Sequence, residues 1–420
     1  MTVVTARSAP VVRRPVDAAF LDAVRERVGD SSGGLSPDVL AGVVEATARA
    51  TGSVLGRRGL ADLTRAVHDE LVGAGPLQPL LDDPEVTDVL VNGPSEVWVE
   101  RAGRLVRTPV TLGGPGDVRA LAVRLAARGG QRLDDAVPTV DARLPDGTRL
   151  HAVLPPVADG CTVLSLRVVR SRAYTLEELV AAGAVPAASL PLLRALVQER
   201  LNLLVSGATG AGKTTLLAAL LATVPADERI VLIEESGELR LPDRHLVRLV
   251  ARRANVDGAG RVDLADLVRN AVRMRPDRVV LGECRGAEVR DVLAALNTGH
   301  AGCCATVHAN AAADVPARLE ALATLAGMSG SALAAQAASA FDVVLHLRRV
   351  PAEGRRYLAE IGWVTRGPTG SLVVEPAVVL DEDGRGRLGP AWPVLARRLG
   401  RPEEAPGGAD GAWVPWREHP

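Results

Sequence analysis

The sequence predicts an α/β protein built on a parallel sheet, and three observations carry that prediction. Downstream of Leu192, short apolar runs alternate with helical ones, the pattern of a parallel sheet covered by helices on both faces. One of these runs, residues 201–205, leads into Gly207-Ala208-Thr209-Gly210-Ala211-Gly212-Lys213-Thr214-Thr215, which meets the phosphate-loop pattern G-x-x-x-x-G-K-[ST] at every fixed position. The helix-forming stretch 216–221 then follows, so the loop stands between strand and helix.

The chemistry of that loop is phosphate binding. Glycines at 207, 210 and 212 let the backbone curl until successive N–H groups converge on phosphate oxygens at the positive end of the next helix. Lys213 is placed to reach the β and γ phosphates of a nucleoside triphosphate. The Thr214 hydroxyl is placed to complete the coordination of a magnesium ion otherwise held by phosphates and water. Of 49 Lys and Arg residues, Lys213 is the only lysine. An ammonium is a compact point charge that fits inside a phosphate cradle, whereas a guanidinium is a broad planar fork.

With 420 residues and 47% hydrophobic content, the chain is long enough for two or three domains with real cores. A net charge of −1 gives no overall basic field toward nucleic acid or anionic lipid, and 2% aromatics leave few stacking platforms for single strands. Both counts argue against a nucleic-acid translocase. No signal peptide is visible, and the uncharged stretch 321–341 reads as two helices around Gly327-Met328-Ser329-Gly330-Ser331 rather than a membrane span. Cys161, Cys284, Cys303 and Cys304 form no C-x-x-C pair and suit a reduced compartment. The reading is cytoplasmic.

In chain order, residues 1–60 read as a Pro- and Arg-rich start followed by helical patterning at 20–28 and 39–50, a short helical N-terminal extension. Residues 61–170 read as a smaller α+β domain: a helix to Leu71, β-type runs at 86–91 and 96–100 around Asn92-Gly93-Pro94, a helix at 118–128, and a hairpin at Pro145-Asp146-Gly147. Gly183 and Pro186 mark a linker at 171–190. The α/β domain at 191–395 has strand candidates at 201–205, 229–233, 279–281 and 303–307 and a β-rich close. A Pro/Gly/Glu tail, 396–420, is expected to be disordered.

Hydrolysing ATP needs a group that orients water, a carboxylate near the metal, and positive charge for the transition state. Val279-Val280-Leu281-Gly282-Glu283 delivers a carboxylate at the carboxyl end of a strand, where open parallel sheets place their ligand crevice, so Glu283 is the candidate for holding the attacking water. The second strand ends in Glu234-Glu235, with Glu238 beyond; Glu235 is the candidate for contacting magnesium through water. His300 and His308 flank a short apolar strand and are candidates for sensing the γ-phosphate. A zinc site built from them with Cys303 and Cys304 fits no common spacing. Arg240, Arg244, Arg248, Arg252 and Arg253 lie between the second and third strands as candidate charge-neutralising fingers, Arg248 foremost.

These residues resemble the secretion ATPases of type II and type IV systems, and within them the branch that powers tight-adherence (Flp-type) pilus assembly. The phosphate loop is followed by an acidic box at 233–239, a Walker B region from Arg269 through Glu283 with Arg285-Gly286-Ala287-Glu288 after it, and a histidine box from Thr298 to Asn310. Upstream, Gly75-Pro76-Leu77, Val91-Asn92-Gly93-Pro94 and 141–149 are similar to the N-terminal domain of the same branch. The resemblance implies a RecA-like ATPase domain behind a PAS-like N-terminal domain, with Arg149 and Arg167 approaching the nucleotide. It also implies a homo-hexamer that couples Mg-dependent ATP hydrolysis to an inner-membrane platform protein, peripherally associated with the inner face of the membrane. Two departures stand out: Glu235 replaces the usual aspartate, and Cys303-Cys304 replace Gly-Ser. The alternatives are a DNA-processing or conjugation-type translocase and a non-hydrolysing nucleotide-binding scaffold.

Overall fold

A computed structural model describes residues 16–29, 37–53, 55–101, 103–168, 173–237, 239, 241, 244–252, 260–350 and 354–401. The Pro- and Arg-rich start, Glu238, Arg240, Arg253 and the chain from 402 onward lie outside the described residues. Two units divide the chain, one up to Val169 and one from Arg170.

The first unit begins with α1 (Ala18–Gly29), α2 (Pro37–Ala50) and α3 (Arg57–Leu71). Leu21, Val24, Leu40, Val44 and Val67 form a small core among them, so the boundary expected at residue 60 falls inside α3 and inside a shared cluster. After the single turn α4 (Gln78–Leu81) come β1 (Val86–Gly93), β2 (Glu96–Arg101) and β3 (Arg104–Arg107). Next are α5 (Pro115–Arg128), β4 (Thr139–Arg143), β5 (Arg149–Val153) and β6 (Val163–Arg167). The strands make one antiparallel sheet in the order β3-β2-β1-β6-β5-β4. Alternate residues Val89, Val91, Leu150, Ala152, Leu164 and Leu166 face the same core as Val118, Leu121 and Leu125 of α5. Gly93 pairs with Glu96, which puts the first hairpin turn on Pro94-Ser95.

The second unit opens with α6 (Leu176–Ala181) and α7 (Leu190–Gln198), where the sequence suggested a linker. Leu176, Leu179 and Val185 are buried in the main core, and Gly183, at φ +70°, turns the chain between two packed helices rather than separating domains. The unit continues through β7 (Leu203–Gly207), α8 (Lys213–Leu221), β8 (Ile230–Glu234), β9 (Leu246–Val250), α9 (Leu264–Ala271), β10 (Arg278–Leu281) and α10 (Val289–Leu296). It then runs through β11 (Cys304–His308), α11 (Val315–Leu325), α12 (Gly330–Ala340), β12 (Val343–Arg349), β13 (Arg356–Arg366), β14 (Leu372–Leu380), β15 (Gly386–Leu388) and α13 (Trp392–Arg398).

Its strands form one sheet ordered β15-β14-β13-β12-β7-β11-β10-β8-β9. The strands from β12 to β9 are all parallel, and β13, β14 and β15 extend the sheet antiparallel. Strands β7, β8 and β10 are buried along their whole length, as expected for parallel strands covered on both faces. The edge strand β9 has no such signature: its residues are only half-buried, and the sequence reading had placed no strand there. At the far end, Trp392, Leu395, Ala396 and Leu399 are buried at helical spacing, so the chain stays packed beyond residue 396, where the tail was expected to start.

Candidate nucleotide site

The phosphate loop leaves β7 at Gly207. A Cβ there would sit 2.6 Å from the carbonyl oxygen of Leu347 on β12, so only glycine fits. Gly212, at φ +95°, turns the chain into α8. The loop is closed on its own lysine. Lys213 is buried to 7% exposure and its Nζ donates to the carbonyls of Gly207 and Ala208, both at 3.1 Å. Burial lowers its pKa to about 8, with the Glu283 charge working the other way. Thr214, the next residue of α8, is half-buried.

Two neighbouring strands deliver the groups around it. Parallel register sets His308 opposite Gly207, at the same end of the sheet as the loop. Its Nδ1 lies 3.1 Å from Lys213 Nζ and its Nε2 lies 2.7 Å from Glu283 Oε1. Burial and the adjacent lysine keep the imidazole pKa below its ordinary value, so at neutral pH it is uncharged and links cation to carboxylate. The Glu283 backbone is strapped between neighbours: Gly282 N–H donates to Ile233 O and Cys284 N–H to Thr306 O, each at 2.8 Å. The hydroxyl of Thr306 reaches Gly282 O at 2.6 Å. Burial on its own would raise the Glu283 pKa; hydrogen bonding and charge from Arg285, with His308 and Lys213, outweigh it and hold the group as a carboxylate.

Four of the residues singled out in the sequence therefore meet. Lys213, His308, Glu283 and Glu235 form one connected row, and Arg285 is the link to the last: it contacts Glu283 Oε2 at 2.7 Å and Glu235 Oε2 at 3.0 Å. Sequence reasoning assigned Arg285 no role. Its signal was a cation two residues beyond Glu283, which on extended backbone falls on the same side. Glu288 was missed too; its Oε1 accepts from the N–H groups of Arg285 and Gly286 at 2.6 and 2.8 Å and fixes that loop.

His300 and Arg248 stand elsewhere. His300 precedes β11, whereas His308 ends it, so the two stand at opposite ends of that strand. The His300 ring faces the Ala295 carbonyl and the Thr298 hydroxyl, at the opposite end of the sheet from the loop. This corrects its pairing with His308 as a γ-phosphate sensor in the same site. Arg248, on β9, faces the buried Glu234 with Nε 3.3 Å from Oε2 and also donates to the Leu239 carbonyl. Within this chain it neutralises a structural carboxylate and stands outside the Lys213–His308–Glu283 row. Glu234 also accepts from Leu239 N–H at 2.9 Å. Arg244 and Arg252 donate to the backbone carbonyls of Ala222 and Gly260.

In the first unit, Arg143, Arg149 and Arg167 are direct cross-strand neighbours, and Arg167 Nε bonds Asp88 at 3.0 Å. Cys303 and Cys304 are buried thiols, their pKa values pushed up by burial to about 11 and about 12, so both are neutral at physiological pH. Among the described residues no cluster of three or more His, Cys, Asp or Glu could hold a metal ion, and no helix is long and apolar enough to cross a membrane. The donors at the loop are hard oxygens: one hydroxyl on Thr214, with carboxylates nearby. That set suits a magnesium ion brought in with phosphates better than a resident ion in a protein cage.

The loop between β7 and α8 and the parallel order β12-β7-β11-β10-β8, fifth-first-fourth-third-second in chain sequence, define a P-loop nucleotide-binding protein with a RecA-like core. A sequence profile described as "Type II/IV secretion system protein" matches residues 70–359. The chain belongs to that family. It is 54% identical over 303 residues to a putative conjugal transfer protein of Mycobacterium tuberculosis (strain H37Rv), across 71% of this chain and 86% of that one. It is 31% identical over 300 residues to the conjugal transfer protein TrbB of Rhizobium radiobacter, across 70% and 88%. Among solved structures, the VirB11 ATPase from the Brucella suis type IV secretion system, in complex with sulphate, shares 29% identity with a TM-score of 0.38, covering 72% of this chain and 96% of that one.

Proposed function

We propose that this protein is a Mg-dependent ATPase that works as a hexameric motor on the inner face of a cell membrane, driving pilus assembly or secretion through a membrane platform protein. The observation that carries the reading is the row Lys213–His308–Glu283 at the carboxyl ends of three adjacent parallel strands. Lys213 and the loop N–H groups would hold the β and γ phosphates, and Thr214 would be the residue that holds a magnesium ion, which would supply charge neutralisation at the phosphates. Glu283, a carboxylate of lowered pKa, orients a water for in-line attack more than it removes a proton. His308 couples that carboxylate to the lysine that carries the phosphate charge.

The test is phosphate release with Mg-ATP by the purified full chain beside Glu283→Gln and Lys213→Ala. Glu283→Gln is expected to keep nucleotide binding and lose turnover by about 100-fold or more, and Lys213→Ala to lose both. Turnover near the parent level in Glu283→Gln would remove that residue from the mechanism.

A second reading, a conjugation-type transfer ATPase, is favoured by the 54% identity to a protein named for conjugal transfer. Turnover that rises with single-stranded DNA, with salt-dependent binding in a fluorescence-anisotropy titration, would select it. Net charge and aromatic content favour the pilus or protein-secretion reading.

A further inference from the structure

The strands β12 and β13 approach the phosphate loop at three of its glycines. A Cβ on Gly207 would meet Leu347 O at 2.6 Å, one on Gly210 would stand 3.9 Å from Arg349 Nη1, and one on Gly212 would stand 3.4 Å from Arg356 Cδ. Arg349 and Arg356 are direct cross-strand partners. From β13, Arg356 Nε donates to the Gly210 carbonyl at 2.7 Å.

Loop N–H groups that turn inward toward phosphate leave carbonyls turned outward, and each of those carbonyls needs a donor. Part of that need is met within the loop and its helix: the Gly207 and Ala208 carbonyls accept from Lys213, and the Gly212 carbonyl accepts from Leu216 N–H in α8. Gly210, at φ +72°, is served from another strand. A trans peptide sets C=O and N–H on opposite sides, so the bond that draws Gly210 O toward β13 turns the Ala211 N–H the other way. That N–H points across the loop, 3.2 Å from the same Ala208 carbonyl that Lys213 holds.

We propose that Arg356 is a positioning residue for nucleotide binding: through the Gly210 carbonyl it fixes the 210–211 peptide with its N–H turned into the loop, where a phosphate oxygen would sit. This rests on the reading of the loop as a nucleotide site. An N–H held in place before binding serves the ground state and the transition state alike, so Arg356 acts on affinity more than on rate.

The experiment uses the full chain as Arg356→Gln, Arg356→Met and Lys213→Ala. Glutamine carries an N–H donor on Cδ, where arginine carries Nε, but no charge; methionine has a similar length and no donor. Affinity for a fluorescent ADP analogue, and for inorganic tripolyphosphate as its competitor, is measured beside kcat and KM for phosphate release. Arg356→Met is expected to weaken both ligands by the same factor, about fivefold to tenfold, and to raise KM alike with kcat within about twofold. Arg356→Gln should stay within about twofold of the parent throughout. A fivefold or greater loss of affinity in Arg356→Gln overturns the proposal, whether or not Arg356→Met folds, because it assigns the effect to the guanidinium charge. So does Arg356→Met at parent affinity, or weakened toward the ADP analogue with tripolyphosphate unchanged, which marks a nucleoside contact instead. Lys213→Ala at parent affinity brings down the loop reading and this one together, whereas Lys213→Ala without binding, beside a weakened Arg356→Gln, brings down this one alone.

Discussion

At the scale of single residues, the lysine of the phosphate loop is satisfied by its own chain. Lys213 bonds two loop carbonyls and touches His308, which keeps a buried ammonium from being left without acceptors. Burial nevertheless lowers its pKa to about 8, whereas bound phosphates favour the charged form. Nucleotide binding therefore takes up a proton once the pH exceeds about 8. ATP affinity should stay flat below pH 8 and fall by up to tenfold per unit above it, a slope that binding titrations between pH 7 and 9.5 would read directly. The histidines make the second prediction. His308→Ala should lower kcat by about 10- to 100-fold and His300→Ala by no more than about twofold, because only His308 reaches Glu283. Both histidines were visible in the sequence, flanking one apolar run. The rule that placed Glu283 in the crevice, the carboxyl end of a parallel strand, separates His308 from His300 as well.

At the scale of elements, β9 shows why an edge strand escaped sequence reasoning. Its residues are half-buried with no clean alternation, and Arg248 interrupts the apolar run. The strand nevertheless seats a guanidinium against Glu234, a carboxylate only 4% exposed at the end of β8. Gly282 makes room for that side chain: a Cβ there would come within 3.0 Å of Glu234 Cγ. Arg248→Ala should destabilise the protein by about 1–3 kcal/mol, seen as a lower urea midpoint at unchanged m-value, and Glu234→Gln should recover most of the loss. The segment 171–190 teaches the same lesson in reverse. Glycine and proline mark a change of direction, and burial of Leu176, Leu179 and Val185 decides that the turn lies inside a packed unit.

At the scale of the whole molecule, the motor reading predicts that turnover resides in an oligomer. Light scattering on a size-exclusion column, with phosphate release assayed across the fractions, should place activity in a hexamer peak and little in the monomer. Duplex or single-stranded DNA should leave that turnover unchanged. The sequence by itself determined the parallel α/β core, the phosphate loop, the lone lysine and the carboxylate just beyond β10. Each is written in local order: apolar runs of strand length, glycines at fixed offsets, a charge at a strand terminus. Tertiary structure alone decided which of the remaining polar residues share the site. Lys213, Glu235, Glu283 and His308 come from four different segments, and parallel register brings their ends to one edge of the sheet. Arg285 entered because its side chain reaches two carboxylates at once. Arg248 left because it is held by Glu234. Side-chain partnership between distant segments is a property of strand order, and strand order has no signature in the spacing of residues along a chain.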